Sequence, residues 1–392
     1  MNKPIRVLLC DDSSVVRRLI KSAMGSVKEI DIIGEASNGL EGVERAVELN
    51  PDVIIMDVEM PVMDGIDAVR LLRGKRLKTP VIMFSSLTSR GAEATLDAID
   101  AGANDFATKP TKSGHVKNAL EHVQNELVPI VRRWGTAGRR QPLLPRVSKP
   151  VVDRGPTQNP QTPPAANGKS SVVASNTGKP RPAEPRRSKA PTLHLGPVTA
   201  IGIGISTGGP AALTDLFKAM PAEFSIPVLI VQHMPAVFTK RLAERLAKIK
   251  GHNVREAEDG GAVVPGDILI APGDYHMTVK RSGTDLITVL DQSPKINSCR
   301  PAVDPLFTSL AEHLGRKSVG IVMTGMGKDG VDGVVAMKKK GSKIIVQDEA
   351  SSVVWGMPGA VANEGLADQI LDIEQIANQM VRCCGTLQPT AI

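Results

Sequence analysis

The sequence predicts two α/β domains in tandem, each built on an open, mostly parallel sheet. Three observations carry this. Short apolar runs alternate with helix-length segments from Ile5 to Val131 and again from Val198 onward, the pattern of parallel strands joined by crossover helices. Between the two stretches, from Gly135 to Pro191, hydrophobic periodicity disappears and prolines recur. Residues that carry chemistry follow directly after several apolar runs, at the carboxyl ends of strands, where such sheets bind their ligands.

The composition agrees with that class. A chain of 392 residues, 41% hydrophobic and 23% charged, is long enough for two or three domains with cores of their own. The start, MNKPIRVLLCDD, has no apolar stretch leading to a small-residue cleavage site, and no run of eighteen apolar residues occurs, so the reading is cytoplasmic without membrane insertion. Cys10, Cys299, Cys383 and Cys384 have neither metal-ligand spacing nor disulfide-scaffold density and read as reduced structural thiols.

In the first stretch the strand candidates are Ile5–Cys10, Ile30–Ala36, Val53–Met56, Val81–Phe84 and Phe106–Ala107. Asp11 and Asp12 follow the first, Asp57 the third, Ser85 and Ser86 the fourth, and Lys109-Pro110 the fifth. On one sheet edge these residues converge despite their separation in sequence. Clustered carboxylates repel unless a hard divalent cation sits among them, and Mg²⁺ suits one or two carboxylates completed by water and phosphate oxygens. A carboxylate nucleophile, a metal, a lysine and a hydroxyl together suit phosphoryl transfer. Taken singly, Asp12 could equally cap a helix beginning at Ser13, Asp57 could cap a loop and Lys109 could be a solvated surface lysine. Together they make residues 1–131 resemble the response-regulator receiver domain, a five-stranded flavodoxin-like sheet. The resemblance implies that Asp57 accepts the phosphoryl group, that Asp11 and Asp12 serve with it in the Mg²⁺ site, and that Lys109 pairs with the phosphate. It also places Ser85 at the switch-hydroxyl position and Phe106 at the switch-aromatic position.

The segment 132–195 reads as a basic, proline-rich flexible linker. Arg139 to Lys189 holds eleven Lys/Arg against Asp153 and Glu184, an excess of positive charge larger than the whole chain's formal net charge of +7. Such a composition cannot bury enough apolar surface to offset ordering entropy. It lacks interleaved aromatics and any folded DNA-reading motif, so a solvated tether is favoured over a nucleic-acid arm.

From 196 to 386 the strand–helix alternation returns. Val198–Ile205 ends in Gly204-Ile205-Ser206-Thr207-Gly208, a G-x-S-x-G between a strand and the helix opened by Pro210, a turn that projects a serine hydroxyl at the sheet edge. Pro227–Val231 runs out into Gln232-His233, followed by a helix in which Phe238, Leu242 and Leu246 share a face. Val319–Met323 ends in Thr324-Gly325-Met326-Gly327-Lys328-Asp329-Gly330. Ser206, His233 and Asp329 thus leave three strand ends toward one edge and supply a nucleophile, a base and a base-orienting acid. Their order, Ser, His, Asp, is not that of ordinary α/β-hydrolases. His276, placed in a turn after Pro272-Gly273-Asp274-Tyr275, His252 and His313 are competing bases; Asp304 and Asp348 are alternative acids. A dinucleotide site fails because G-x-G-x-x-G starting at Gly202 needs glycine where Thr207 stands.

With IGISTGGP, VLIVQHMP, SCRPAVDPLF, VMTGMGKDG and VQDEASSVVWGMPGA in place, the chain resembles the CheB family of chemotaxis protein-glutamate methylesterases over nearly its whole length. The resemblance implies a second doubly wound α/β domain. It implies hydrolysis of γ-glutamyl methyl esters on chemoreceptors with release of methanol, deamidation of receptor glutamines, and a chemotaxis histidine kinase as phosphodonor. It also implies a main-chain oxyanion donor at Met326 beside Thr207, and Arg300 on the substrate side. No cofactor is expected for ester hydrolysis. The competing reading is a receiver-controlled protein that binds a partner or DNA without catalysis; against it, no helix-turn-helix pattern follows the linker.

Overall fold

The computed structural model describes residues 3–110, 116–137 and 198–384. The linker expected at 132–195 lies, beyond Ala137, outside the described residues.

The first sheet contains β1 (Ile5–Cys10), β2 (Ile30–Ala36), β3 (Val53–Asp57), β4 (Val81–Ser85) and β5 (Asp105–Thr108), all parallel in the order β2-β1-β3-β4-β5. β3 and β4 are buried along their whole length, as expected of uninterrupted apolar runs covered on both faces. The covering helices are α1 (Ser14–Gly25), α2 (Gly39–Leu49), α3 (Gly65–Gly74), α4 (Ser89–Asp100) and α5 (Val116–Ala137). α1 is capped by Ser13, whose hydroxyl accepts from the Val16 N–H, so exposed Asp12 is not the cap considered for that helix. α5 runs through the expected boundary at 131 and past Gly135. Trp134 explains the extension: it is buried against the sheet and donates from Nε1 to Asp105 Oδ2 at 3.1 Å.

The second sheet has seven parallel strands in the order β14-β13-β12-β6-β7-β9-β8. These are β6 (Ala200–Ile205), β7 (Val228–Gln232), β8 (Asn253–Glu256), β9 (Asp267–Ile270), β12 (Ser318–Val322), β13 (Lys343–Gln347) and β14 (Gln369–Leu371). An antiparallel hairpin, β10 (His276–Ser282) with β11 (Asp285–Asp291), turns through Gly283-Thr284 with Gly283 at φ +60°. His276 therefore begins a strand instead of sitting in a turn. The helices are α6 (Gly209–Ala219), α7 (Phe238–Ala247), α8 (Val303–His313), α9 (Val331–Lys339), α10 (Met357–Asn363) and α11 (Ile373–Cys383).

One face of β6 presents Ile201, Ile203 and Ile205 to a core containing Leu213, Phe217 and buried Phe238, Leu242 and Leu246. The other presents Gly202 and Gly204. A Cβ at Gly202 would lie 2.6 Å from Leu310 Cδ1, and one at Gly204 would lie 2.5 Å from Val303 Cγ1. These glycines let α8 lie against the central strand and bring its N-terminus to the carboxyl edge of the sheet. Among the described residues no helix is long and apolar enough to cross a membrane.

Candidate active site

Ser206 follows β6 directly. Its N–H donates to Thr324 O (2.9 Å), and its carbonyl accepts from Gly209 N (2.8 Å) and Gln232 Nε2 (2.9 Å), so the turn is tied to both neighbouring strands. Gly208 takes φ +76°, and a Cβ at Gly209 would fall 1.8 Å from Gln232 Oε1, which explains two glycines after the serine. Gly325 is as constrained: a Cβ there would sit 2.8 Å from Ser206 Cβ and 2.4 Å from Met357 Sδ. The loop after β12 therefore lies against Ser206, with Met326 one residue further on.

His233 extends β7 by one residue, its N–H donating to Ile205 O at 3.2 Å. Its Nε2 hydrogen-bonds Asp329 Oδ2 at 2.7 Å. Cys299 lines the same cavity as His233. Burial alone would lower the imidazole pKa; the Asp329 carboxylate and the neighbouring Cys299 outweigh it and lift the value to about 9. Asp329, 2% exposed, also accepts from Val303 N (2.7 Å) and from Asn297 Nδ2 (3.3 Å). Burial pushes its carboxyl up, but the hydrogen bond and charge of His233 and the Val303 N–H bring it below the ordinary aspartate value. Ser206, Thr207, His233, Cys299 and Met326 line one cavity of about 550 Å³.

The structure thus gathers Ser206, His233, Asp329, Thr207 and Met326. Arg300 is not among the cavity-lining residues. Its guanidinium bonds Asp274 Oδ1 (2.7 Å) and the carbonyls of Gln292 and Ser293 (2.8 and 2.9 Å), so it clamps loops together. The competing histidines are elsewhere: His252 packs edge-on against Phe217, His276 is fully buried between Pro294 O and Ala302 N, and His313 ends α8. Of the alternative acids, Asp348 bonds Ser351, whereas Asp304 lies beside Asp329. The sequence reading missed Asn297, Cys299 and Arg133. The first two sit in a loop without periodicity, and Arg133 looked like the start of a linker.

On the first sheet Lys109 Nζ reaches both Asp11 Oδ2 (2.9 Å) and Asp57 Oδ2 (2.8 Å). Burial first, then the Asp11 charge, raises the Asp57 carboxyl to about 6 against the opposing pull of Lys109. Carboxylate oxygens of Asp11, Asp12 and Asp57 lie within 4.8 Å of one another, and the buried Asp11 Oδ2 has the lysine's charge but no aligned hydrogen bond. Three acids with one lysine leave excess negative charge, and an oxygen-ligated divalent cation such as Mg²⁺ fits them. Ser85 is buried with its hydroxyl donating to Gly91 O at 3.1 Å.

The two sheets are joined through this face. Phe106 stacks on Phe238 of α7 with centroids 4.7 Å apart and planes at 6°, and Ala92 and Leu96 of α4 belong to the second domain's core. Arg245 pairs with Asp97 (2.7 Å) and Asp100, and Arg241 bonds Ser89 Oγ. From α5, Arg133 enters the cavity, hydrogen-bonding Thr207 Oγ1 and placing Nη2 2.6 Å from Met326 Sδ, while Asp105 holds it at 3.2 Å.

Fold and edges together define an α/β protein in which a receiver-type acid cluster is coupled to a Ser–His–Asp edge. Comparison with known proteins gives the particular family. Residues 201–380 match the CheB methylesterase family and residues 7–121 match the response regulator receiver domain. A "Protein-glutamate methylesterase/protein-glutamine glutaminase" of Trichodesmium erythraeum is 40% identical over 97% of this chain and 99% of its own length. One of Maricaulis maris is 42% identical over 96% and 95%. The Thermotoga maritima CheB methylesterase catalytic domain, a crystal structure, is 42% identical, covers 47% of this chain and 98% of its own, and superposes with a TM-score of 0.46. The chain belongs to the CheB methylesterase family.

Proposed function

We propose that the protein is a phosphorylation-controlled serine hydrolase that demethylates γ-glutamyl methyl esters on chemoreceptors, releases methanol and also deamidates receptor glutamines, acting in the cytoplasm. The observation that carries this reading is the His233–Asp329 hydrogen bond of 2.7 Å beside the cavity that Ser206 and His233 line. In the proposed reaction neutral His233 takes the Ser206 hydroxyl proton as the oxygen attacks the ester carbonyl, and Asp329 orients the ring and stabilises the imidazolium that forms. The departing methoxide is too basic to leave unaided and receives that proton. Water activated by the same imidazole then cleaves the glutamyl ester on Ser206. The negative oxygen of the tetrahedral intermediate needs aligned donors, and the Met326 main-chain N–H, beside Ser206 through Gly325, is the assigned one.

Control enters at the receiver edge. Asp57 is the assigned phosphoryl acceptor from a chemotaxis histidine kinase, and Lys109 steadies the phosphoryl oxygens. Asp11, Asp12 and Asp57 would hold Mg²⁺, which when bound supplies the charge neutralisation that phosphoryl transfer requires. With Arg133 across Thr207 and Met326, a receptor helix meets an obstructed cavity. Inward movement of Ser85 and Phe106 on phosphorylation would unstack Phe106 from Phe238 and shift the equilibrium toward an open enzyme. The test is methanol release from methylated receptor, with and without phosphodonor, by the full chain and by His233→Ala. Phosphodonor should raise the rate of the full chain, and the variant should be inactive; ordinary turnover by His233→Ala would refute the assignment of the base.

A further inference from the structure

Behind the Ser–His–Asp edge lies a second buried carboxyl that the proposed reaction does not use. Asp304, 8% exposed, stands in the first turn of α8, and Asp329 stands two residues before α9. Each serves the other's helix. Asp329 Oδ2 accepts from Val303 N at the start of α8 (2.7 Å), and Asp304 Oδ1 accepts from Gly333 N in the first turn of α9 (2.8 Å). The helices meet so closely that a Cβ at Gly333 would lie 2.6 Å from Phe307 Cβ. Asn297 Nδ2 bridges the two carboxyl groups, 3.3 Å from Asp304 Oδ2 and 3.3 Å from Asp329 Oδ1, and the Asp304 main-chain N–H donates to that same Oδ1 at 3.4 Å.

We propose that Asp304 is a positioning residue for the catalytic edge: cross-capped with Asp329 between two helix N-termini and bridged to it by Asn297, it fixes the rotamer in which that acid orients His233. The inference rests on the triad reading given above. Burial and the neighbouring Asp329 charge raise the Asp304 carboxyl to about 6, against the pull of the Gly333 N–H, so its titration can be followed from His233. The groups facing Asp304 are Asp329 on the loop before α9, with His233 behind it, and Asp332 on α9 itself. Lys280 of β10 and Glu312 and His313 of α8 line the shallow cleft on its other side, and His276 of β10 is occupied by Ala302 N and Pro294 O. As pH rises through about 6, Asp304 loses its proton and a second negative charge beside Asp329 favours the imidazolium.

The tests are Asp304→Asn and Asp304→Ala in the full chain, assayed for methanol release, with His233 followed by NMR in both. Asparagine keeps an acceptor for Gly333. It should retain kcat within about threefold, whereas alanine should lower kcat at least tenfold with little change in KM. In the wild type the Nε2–H proton resonance of His233 should show an inflection near pH 6, and Asp304→Asn should remove it. A merely structural carboxyl would lower thermal stability in Asp304→Ala and leave kcat and that inflection alone, which would overturn the proposal. If alanine prevents folding, the wild-type and asparagine titrations decide alone, and identical curves would overturn it. Failure of the triad reading is separately visible as turnover by Ser206→Ala.

Discussion

The pKa of His233 makes a quantitative demand on the pH dependence of the reaction. The base must be neutral to take the serine proton, yet Asp329 and Cys299 hold the imidazole proton to about pH 9. At pH 7 roughly one molecule in a hundred then has a neutral base, and at pH 9 about half do. With the other groups unchanged, kcat/KM should rise about fifty-fold between those values. The sign for stability is opposite. A histidine whose folded pKa lies above its ordinary 6.5 contributes stability that is complete below that value and is lost as pH rises through about 9, here ~3 kcal/mol. Asp329→Asn removes the charge that opposes burial, so the imidazole should fall to or below 6.5, the rising limb should move to lower pH and the plateau should drop as the ring loses its orientation. The assay is methanol release from methylated receptor at pH 6 to 9.5, with Ser206→Ala subtracted for spontaneous ester hydrolysis. A wild-type profile flat from pH 7 to 9, or an unmoved limb in Asp329→Asn, would refute the reasoning.

Three further outcomes follow from particular contacts. Gly325→Ala puts a methyl group 2.8 Å from Ser206 Cβ, so kcat should fall at least a hundredfold in a folded protein, checked by turnover and circular dichroism. Arg133→Ala should raise unphosphorylated activity on methylated receptor several-fold and leave hydrolysis of a small ester less affected; equal rates on both would show that the arginine does not obstruct. Asp57→Asn should abolish acid-stable, hydroxylamine-labile phosphoryl labelling from a chemotaxis histidine kinase, and Asp12→Ala should raise the Mg²⁺ concentration needed for half-maximal labelling.

Much of this was legible in the sequence because parallel sheets place strand ends on a common edge. The runs before Asp11, Asp57, Ser206, His233 and Asp329 could be read by periodicity alone, and the structure puts each residue at a carboxyl edge. What could not be read depends on non-local packing. Asn297 reaches Asp329 from a loop in which it and Ser298 adopt φ +50° and +66°, and no periodicity marks such a segment. Trp134 and Arg133 looked like the start of a basic linker because their partner, Asp105, is 29 and 28 residues away. The substrate-side role of Arg300 came from the family resemblance, and no local signal marks the Asp274 carboxylate, 26 residues away, that pairs with its guanidinium. The hairpin signal at Ser282-Gly283-Thr284 was present and went unread.

The account stands on Ser206 becoming covalently attached to substrate. The most direct measurement is rapid mixing of the full chain with methylated receptor, acid quench within the first turnover, and mass spectrometry of the peptide containing Ser206. The account requires a hydroxylamine-labile ester between Ser206 and a receptor glutamyl side chain, formed in step with a methanol burst and missing in Ser206→Ala. Methanol released at the full rate with Ser206 unmodified at every quench time would contradict it.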